Sequence, residues 1–163
     1  MGSFLFSSRL TALSNPGPRR CYVINELSLT VDVLGFGGRG NLSLLQTVPL
    51  VGDGVDKNNS IGADIQVAPD GKHVYASIRG LDTLSVLEVG EDGLLSLGET
   101  TPCGGRTPRN FAITPDGKYL LAANQDTDNV AVFQIDPRKG GLSQISDTPV
   151  PTPVCVKTYS PGN

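Results

Sequence analysis

Tryptophan is absent from this sequence of 163 residues, and histidine occurs once, at His73. Because His73 falls in a predicted strand without a partner, neither a Ser-His-Asp triad nor a multi-histidine metal site can be assembled within the chain. Cysteine is also scarce: Cys21, Cys103 and Cys155 are odd in number and too far apart for a zinc ribbon or a redox motif. The sequence therefore argues against a disulfide framework and for a reducing compartment, the cytosol.

The chain has no excess of positive charge and no long apolar run. Its net charge is −3 and aromatic residues make up 6%, so neither a basic surface nor a base-stacking platform is expected. No apolar run approaches the roughly 18 residues that cross a bilayer. We therefore expect no nucleic acid and no membrane among the partners of this protein.

No cofactor is expected either. The polar cluster Gln125-Asp126-Thr127-Asp128 suggests calcium, but it lacks the spacing of an EF-hand loop. Turn formation by the Asp side chains is the better account of this cluster. The sequence predicts no metal site.

Two stretches of the chain repeat one pattern of strand, turn, strand, polar corner and strand. Pro69-Asp70-Gly71-Lys72 recurs as Pro115-Asp116-Gly117-Lys118, an offset of 46 residues (115 − 69). A fixed offset of this size is typical of solenoids and propellers. A weaker third copy starts at Ser8-Arg9-Leu10 and places Arg9 and Asn25 where Arg109 and Asn124 stand in the last copy.

Each repeat contains four segments with the alternation or apolar runs of β-strands and none with a capped helical period. We predict an all-β fold, a partial β-propeller of about three four-stranded blades and a closing strand. The predicted blades span 8–60, 61–106 and 107–150, the closing strand spans 151–159, and 1–7 and 160–163 are tails. Three blades leave two apolar faces open, so we expect either self-association or missing N-terminal blades that complete the ring.

The N-terminal residues allow a second interpretation. No acidic residue precedes Glu26, whereas serines and arginines are frequent. This composition is that of an organellar transit peptide. The repeat offers the better use for the same residues, and a transit peptide is kept as the alternative.

Five segments occur in an order that resembles a known family: Tyr22 to Leu27, Ala63 to Gly71, Arg79-Gly80, Thr107 to Phe111, and Pro151 to Lys157. Together they resemble the C-terminal half of the seven-bladed propeller lactonases, which include the bacterial type of 6-phosphogluconolactonase and the fungal carboxymuconate lactonizing enzyme. The resemblance covers about Ser8 to Lys157. It implies that roughly four N-terminal blades are missing and that 151–157 is the strand that closes the ring.

The proposed active site of that family lies at the channel mouth and consists of arginines, a glutamate and a histidine. The resemblance places the glutamate at Glu26 and one arginine at Arg79, which are the catalytic candidates. Arg109, Arg9 and Asn25 are the candidates for substrate binding. In chemical terms, the glutamate would activate water as a general base and the arginines would hold an anion and the developing oxyanion.

This sequence departs from the family pattern at several positions. Leu10 and Gln66 stand where the family has histidines, Ile78 replaces an asparagine, and Asp64 keeps an acid. This sequence therefore keeps the arginines and carboxylates of the family's site and lacks its histidines.

Each candidate also has a structural interpretation. Glu26 can be a solvated residue at the end of a strand, Arg79 a corner residue that bonds carbonyls, and Arg109 a bridge between blades. The middle blade has Ala63 at the position of Arg109. Because a purely structural bridge should recur in every blade, this difference favours a functional role for Arg109.

The resemblance implies hydrolysis of a sugar lactone, with 6-phospho-glucono-1,5-lactone as the suggested substrate and 6-phosphogluconate, in the pentose phosphate pathway, as the product. The small anionic lactone would be the only ligand. The alternative is a catalytically inactive propeller fragment that serves as a protein-interaction module.

Overall fold

A computed structural model describes residues 18–159, which form three antiparallel sheets. The strands of the first sheet are β1 (Arg20–Asn25), β2 (Thr30–Phe36) and β3 (Leu42–Pro49). Those of the second sheet are β4 (Ile61–Val67), β5 (His73–Arg79), β6 (Thr83–Val89) and β7 (Leu95–Pro102). Those of the third sheet are β8 (Pro108–Ile113), β9 (Tyr119–Asn124), β10 (Asn129–Ile135) and β11 (Leu142–Pro149). Within each sheet the strands lie side by side in chain order.

The Pro-Asp-Gly-Lys turns, which join β4 to β5 and β8 to β9, form as the repeat predicts. In each Pro-Asp-Gly-Lys turn the Asp carboxylate accepts the backbone N–H of the Lys, at 2.9 Å in the second sheet and 3.1 Å in the third. The glycines Gly71 and Gly117 have φ of 70° and 71°, a left-handed conformation that costs glycine little. These turns bring consecutive strands back antiparallel and set their register.

The sheets pack face to face in chain order, and two apolar cores lie between them. The first core joins residues such as Val31 and Val33 of the first sheet to Val74 and Leu87 of the second. The second core joins the second sheet to the third around Phe111 and Phe133. Strand β5 is buried from His73 to Ile78 because the second sheet has a neighbour on both faces.

The predicted fold class is confirmed: the described residues form an all-β stack of propeller blades. The first blade shows three strands, and its predicted innermost strand, in residues 8–13, lies outside the described residues. The limits of 8–60, 61–106 and 107–150 as separate units stay a prediction. None of the helical turns within 18–159 is long and apolar enough to span a membrane.

The segment 151–159 forms no strand ladder among the described residues but lies along β8. The backbone N–H of Val156 donates to Asn110 Oδ1 at 2.8 Å, and Thr158 Oγ1 donates to the carbonyl of Ile113 at 3.2 Å. In the same way, the N–H of Phe111 in β8 donates to Asp64 Oδ2 of β4 at 3.2 Å. The segment thus occupies the place of the innermost strand of a further blade, without that blade's other strands to pair with.

Candidate functional site

The candidate site lies at one end of the blades, where β1, β5 and β9 end and where β4 and β8 begin. The pairing of the sheets fixes this arrangement, because Ile61 is opposite Arg79 and Pro108 is opposite Asn124. Glu26, Arg79 and Gln125 occupy the same corner position in the three blades. We call this row of corner residues, together with the first residues of β4 and β8, the rim.

Glu26 and Arg79 form an ion pair that joins the first and second blades. Arg79 Nη2 donates to Glu26 Oε1 at 3.0 Å, and the backbone N–H of Gly62 donates to the carbonyl of Glu26 at 2.8 Å. The side chains are 41% exposed for Glu26 and 24% exposed for Arg79. Arg79 Nε is buried and has no hydrogen-bond partner. The two predicted catalytic residues, which are 53 positions apart (79 − 26), therefore meet at a surface that solvent and a ligand can reach.

The substrate-binding candidates are placed differently. Arg109 is exposed at the start of β8, and its Nη1 donates to Gln125 Oε1 at 3.2 Å within its own blade. Asn25 is half-buried, and its Nδ2 donates to Thr30 Oγ1 at 3.1 Å, so it fixes the corner beside Glu26. Arg9 lies outside the described residues. Among the predicted residues within 18–159, Glu26 and Arg79 are the pair joined by a side-chain hydrogen bond.

Asp64, on β4, holds the second and third blades together. Its carboxylate accepts four hydrogen bonds, from Asn110 Nδ2 at 2.6 Å, the Phe111 N–H at 3.2 Å, Gln66 Nε2 at 3.2 Å and the Ile65 N–H at 2.9 Å. Burial raises the pKa of the Asp64 carboxyl above its ordinary value, and the hydrogen bonds from Phe111, Gln66 and Ile65, together with the charge of Lys157, offset that effect only in part.

Gln66 stands at a position where the resemblance expects a histidine, and its amide has a structural task. Gln66 Nε2 donates both to Asp64 Oδ2 and to the carbonyl of Phe111. It therefore bridges two innermost strands and presents no titratable group. Sequence reasoning missed this bridge and the hydrogen bond that Asn110 donates to Asp64, although the 46-residue offset (110 − 64) places Asn110 in the position of Asp64.

The rim carries side chains of the kinds that bind anions and activate water. A carboxylate can accept a hydrogen bond, and then a proton, from a water molecule. The N–H groups of a neighbouring guanidinium can donate to an oxygen on which negative charge develops. Arg109 adds a second guanidinium, which is exposed and donates one hydrogen bond to Gln125. Within residues 18–159 no group of three or more His, Cys, Asp or Glu side chains is placed to hold a metal ion.

The stacked sheets, one of three described strands and two of four, and the charged rim define an arc of a β-propeller. The chain matches the family model "Lactonase, 7-bladed beta-propeller" over residues 8–158, and it belongs to this family. It is 36% identical over 146 residues to a 6-phosphogluconolactonase of Bacillus subtilis (strain 168). The matched residues make up 88% of this chain and 42% of that relative.

Solved structures show the same likeness. A periplasmic gluconolactonase of Pseudomonas aeruginosa is 32% identical with a TM-score of 0.76, over 81% of this chain and 37% of that one. A protein of Bacteroides fragilis with a known crystal structure has 37% sequence identity to this chain and a TM-score of 0.77. The match covers 85% of this chain and 38% of that one. The chain thus spans about two fifths of the length of the relatives it matches.

Proposed function

We propose that this chain supplies the rim of a lactonase that hydrolyses a small anionic sugar lactone. Two of the relatives named above are a 6-phosphogluconolactonase and a gluconolactonase, which supports a lactone as the substrate class. The two rim arginines favour a substrate with a phosphate or carboxylate group. We infer 6-phospho-glucono-1,5-lactone as the substrate and 6-phosphogluconate as the product, in the pentose phosphate pathway.

The observation that carries the proposal is the ion pair between Glu26 and Arg79. The pair joins two blades through side chains that are 41% and 24% exposed, so it contributes little to folding. A pair that only linked blades would be expected in each repeat, but the same corner carries Gln125 in the third blade. A carboxylate and a guanidinium held together at a solvent-reachable rim fit a catalytic acid-base and oxyanion site.

In the proposed reaction Glu26 accepts a proton from a water molecule, and the oxygen of that water forms a bond to the lactone carbonyl carbon. The carbonyl oxygen becomes negatively charged, and the Arg79 guanidinium stabilises this charge. The tetrahedral intermediate then collapses and the ring C–O bond breaks. The proton held by Glu26 passes to the leaving alkoxide, which gives the open hydroxy acid and restores the carboxylate.

Arg109 and Asn25 have supporting parts in this proposal. The hydrogen bond from Arg109 to Gln125 breaks, and the planar guanidinium group of Arg109 donates to the substrate anion instead. Asn25 fixes the corner that carries Glu26, through its bond to Thr30. Arg9, at the matching position of the first repeat, would supply another cation to the same anion.

Glu26→Gln tests the proposal in the purified chain. We expect kcat for 6-phosphogluconolactone to fall at least about 100-fold, because an amide cannot accept the proton. Glu88→Gln is the matched control, since Glu88 is exposed on β6, and it should leave kcat unchanged. A wild-type chain that opens the lactone no faster than water does, or a Glu26→Gln variant with full activity, would overturn the proposal.

A second function is favoured by one observation. The first and third blades expose apolar side chains on their outward faces, among them Leu44 at 60% and Ile145 at 53%. Such faces are typical of interaction surfaces, and with Gln66 in place of a histidine they favour a catalytically inactive interaction module. A wild-type chain that binds another protein and has no lactonase activity would select this function over the first.

The cytosol is the proposed location. Cys21, Cys103 and Cys155 are free thiols in the structure, and such thiols persist in a reducing compartment. Labelling of all three by a thiol reagent in the denatured protein taken directly from cells would support this location. Oxidation of any pair in the cell would contradict it.

A further inference from the structure

A cleft opens between the second and third blades, at the end of the sheets opposite to the rim. The Pro-Asp-Gly-Lys turns of the two blades meet there, and a Cβ added at Gly117 would lie 3.7 Å from Pro69 Cδ. The cleft has a volume of about 410 Å³, which is within the range of small-molecule sites. We call it the blade cleft, and its polar lining consists chiefly of Asp70, His73, Asp116, Lys118 and Asp136.

The charged groups that line the blade cleft are mostly negative. The carboxylates of Asp70, Asp116 and Asp136 are all exposed and come from three different turns. One ammonium group lines the cleft with them: Lys118 Nζ lies 3.8 Å from Asp116 Oδ2. The excess of negative charge favours a cation as the ligand of this cleft.

Two of the carboxylates keep one oxygen available to a ligand. Asp70 Oδ1 accepts a backbone N–H of its own turn at 2.9 Å, and Asp136 Oδ1 accepts those of Arg138 and Lys139 at 2.8 Å each. The Oδ2 atoms of both residues accept no hydrogen bond within 18–159. The hydrogen bonds from Lys139 and Arg138 lower the pKa of Asp136 below its ordinary value, so this carboxylate is ionised at neutral pH.

The imidazole of His73 forms part of the wall of the blade cleft. The side chain is 5% exposed, and its ring makes no hydrogen bond within the described part of the chain. Buried polar groups are hydrogen-bonded in the great majority of cases. A buried imidazole without a partner, beside an open cleft, therefore indicates a contact for a ligand.

The interface between the first and second blades repeats the local structure of this cleft. Tyr22 donates to the carbonyl of Gly93 at 2.9 Å, and Tyr75 donates to the carbonyl of Gly140 at 2.8 Å. In each case a tyrosine of one blade bonds the turn before the last strand of the next blade. The two interfaces can therefore be compared residue by residue.

An arginine takes the place of His73 at the first interface. Tyr22 and Tyr75 are 53 positions apart (75 − 22), and the same offset (73 − 20) places Arg20 at the position of His73. Arg20 lies against the glycine of that turn, as His73 does at the second interface, and Arg20 Nε is buried. The first interface thus accommodates a guanidinium group of the chain itself. At the second interface the side chain is shorter, and the blade cleft lies open beside it.

We propose that the blade cleft binds a small guanidino compound, whose guanidinium group takes the place that Arg20 has at the first interface. The N–H groups of the ligand donate to the Oδ2 atoms of Asp70 and Asp136, and to the ring nitrogen of His73 that carries no proton. The aliphatic part of the ligand packs on Ile135, which lines the same cleft. This site is separate from the rim and from the proposed lactonase reaction.

Isothermal titration of the full chain with L-argininamide is the first test. L-Citrullinamide is the matched control ligand, because its urea group has nearly the shape of a guanidinium but no charge. L-Argininamide should bind at least about tenfold more tightly. No binding of L-argininamide, or equal affinity for both compounds, would overturn the proposal. Tighter binding of the peptide acetyl-Gly-Arg-Gly-amide than of L-argininamide would also overturn it, since the group would then come from a protein partner.

Asp136→Asn locates the bound group. The amide keeps an oxygen for the N–H groups of its turn but removes the charge, so the affinity for L-argininamide should fall at least about tenfold. Asp92→Asn is the matched control, because Asp92 is exposed and accepts the Leu94 N–H at 3.0 Å in the equivalent turn of the second blade. Asp92→Asn and Glu26→Gln should both leave the affinity unchanged. An unchanged affinity in Asp136→Asn, or an equal loss in Glu26→Gln, would overturn the assignment to the blade cleft.

His73→Arg tests the comparison of the two interfaces. The new guanidinium should occupy the blade cleft as Arg20 occupies the first interface, and binding of L-argininamide should be lost. Circular dichroism and thermal unfolding report whether this variant is folded, and the Asp136→Asn result does not depend on it. A folded His73→Arg variant that binds L-argininamide as tightly as the wild type would overturn the proposal.

Discussion

Asp64 and Asn110 occupy the same position in neighbouring blades, and each accepts a hydrogen bond from the backbone of the next innermost segment. Asp64 Oδ2 accepts the Phe111 N–H at 3.2 Å, and Asn110 Oδ1 accepts the Val156 N–H at 2.8 Å. Asn110 Nδ2 also donates to Asp64 Oδ2 at 2.6 Å. Side-chain hydrogen bonds therefore join β4, β8 and the segment 151–159 in one continuous series.

Asp64→Asn should change how stability depends on pH. The folded pKa of Asp64 is raised above 3.8, so just above that pH the folded state holds a proton that the unfolded state has released. The free energy of unfolding of the wild type therefore falls as the pH rises from the unfolded to the folded pKa of this carboxyl. An amide does not release a proton in this range, so the variant does not lose stability in this way. The amide nitrogen cannot accept the hydrogen bonds of the oxygen it replaces, so the variant starts less stable, but in thermal unfolding from pH 4 upward its stability relative to the wild type should rise with pH. Asp53→Asn, in an exposed loop, should run parallel to the wild type; a parallel Asp64→Asn profile would contradict the prediction.

Tyr75→Phe should destabilise the contact between the second and third blades. The Tyr75 hydroxyl donates to the carbonyl of Gly140 at 2.8 Å in a fully buried setting. Its loss leaves that carbonyl without its partner, and we expect a cost of about 1–2 kcal/mol in urea unfolding. Tyr22→Phe is the matched variant, because Tyr22 donates to Gly93 at 2.9 Å in a half-buried setting. Tyr22→Phe should lower the free energy of unfolding by less than Tyr75→Phe does, and a larger decrease for Tyr22→Phe would contradict the prediction.

Gly140→Ala should be more harmful than Gly40→Ala. Both glycines occupy the turn before the last strand of a blade, with φ of 69° and 79°. A left-handed alanine costs about 1–2 kcal/mol at either position. At residue 140 the new methyl group would also overlap the His73 ring, whereas nothing lies within 4 Å at residue 40. We expect an additional loss of about 1–3 kcal/mol for Gly140→Ala in denaturant unfolding. Equal losses would show that His73 moves aside.

Arg109→Ala should raise KM for an anionic lactone about tenfold and leave kcat nearly unchanged, because Arg109 is proposed to hold the substrate anion rather than the reacting atoms. Its side chain is exposed, so the free energy of unfolding should change by less than about 0.5 kcal/mol. Arg138→Ala, in the exposed turn that precedes β11, controls for the loss of a positive charge. An unchanged KM, or the same increase for Arg138→Ala, would remove Arg109 from the proposed site.

Much of the fold could be predicted from local signals. The Pro-Asp-Gly-Lys turns require a left-handed glycine, and the 46-residue offset repeats them. The offset also aligns Asp82 with Asp128, and the structure gives these residues φ of 53° and 51° at equivalent corners. Such features depend on a few neighbouring residues, which a sequence shows directly.

The contacts of the site are harder to predict, because they join different blades. Nothing local indicates that Glu26 meets Arg79 or that Gln66 bridges Asp64 and Phe111. The family resemblance selected Glu26 and Arg79, but it gave no partner for either. The same limit applies to Arg109, whose bond to Gln125 depends on how a corner and a strand start come together.

The second blade has a neighbour on both faces, and the first and third blades have one described neighbour each. In a stack with contacts only between nearest neighbours, stability is a sum of unit and interface contributions, so opening begins at the outer units. Amide hydrogens of β5, where His73 to Ile78 are buried, should then exchange most slowly. The middle blade, which packs on a described neighbour at each of its faces, is therefore the part of the described residues that we expect to unfold last.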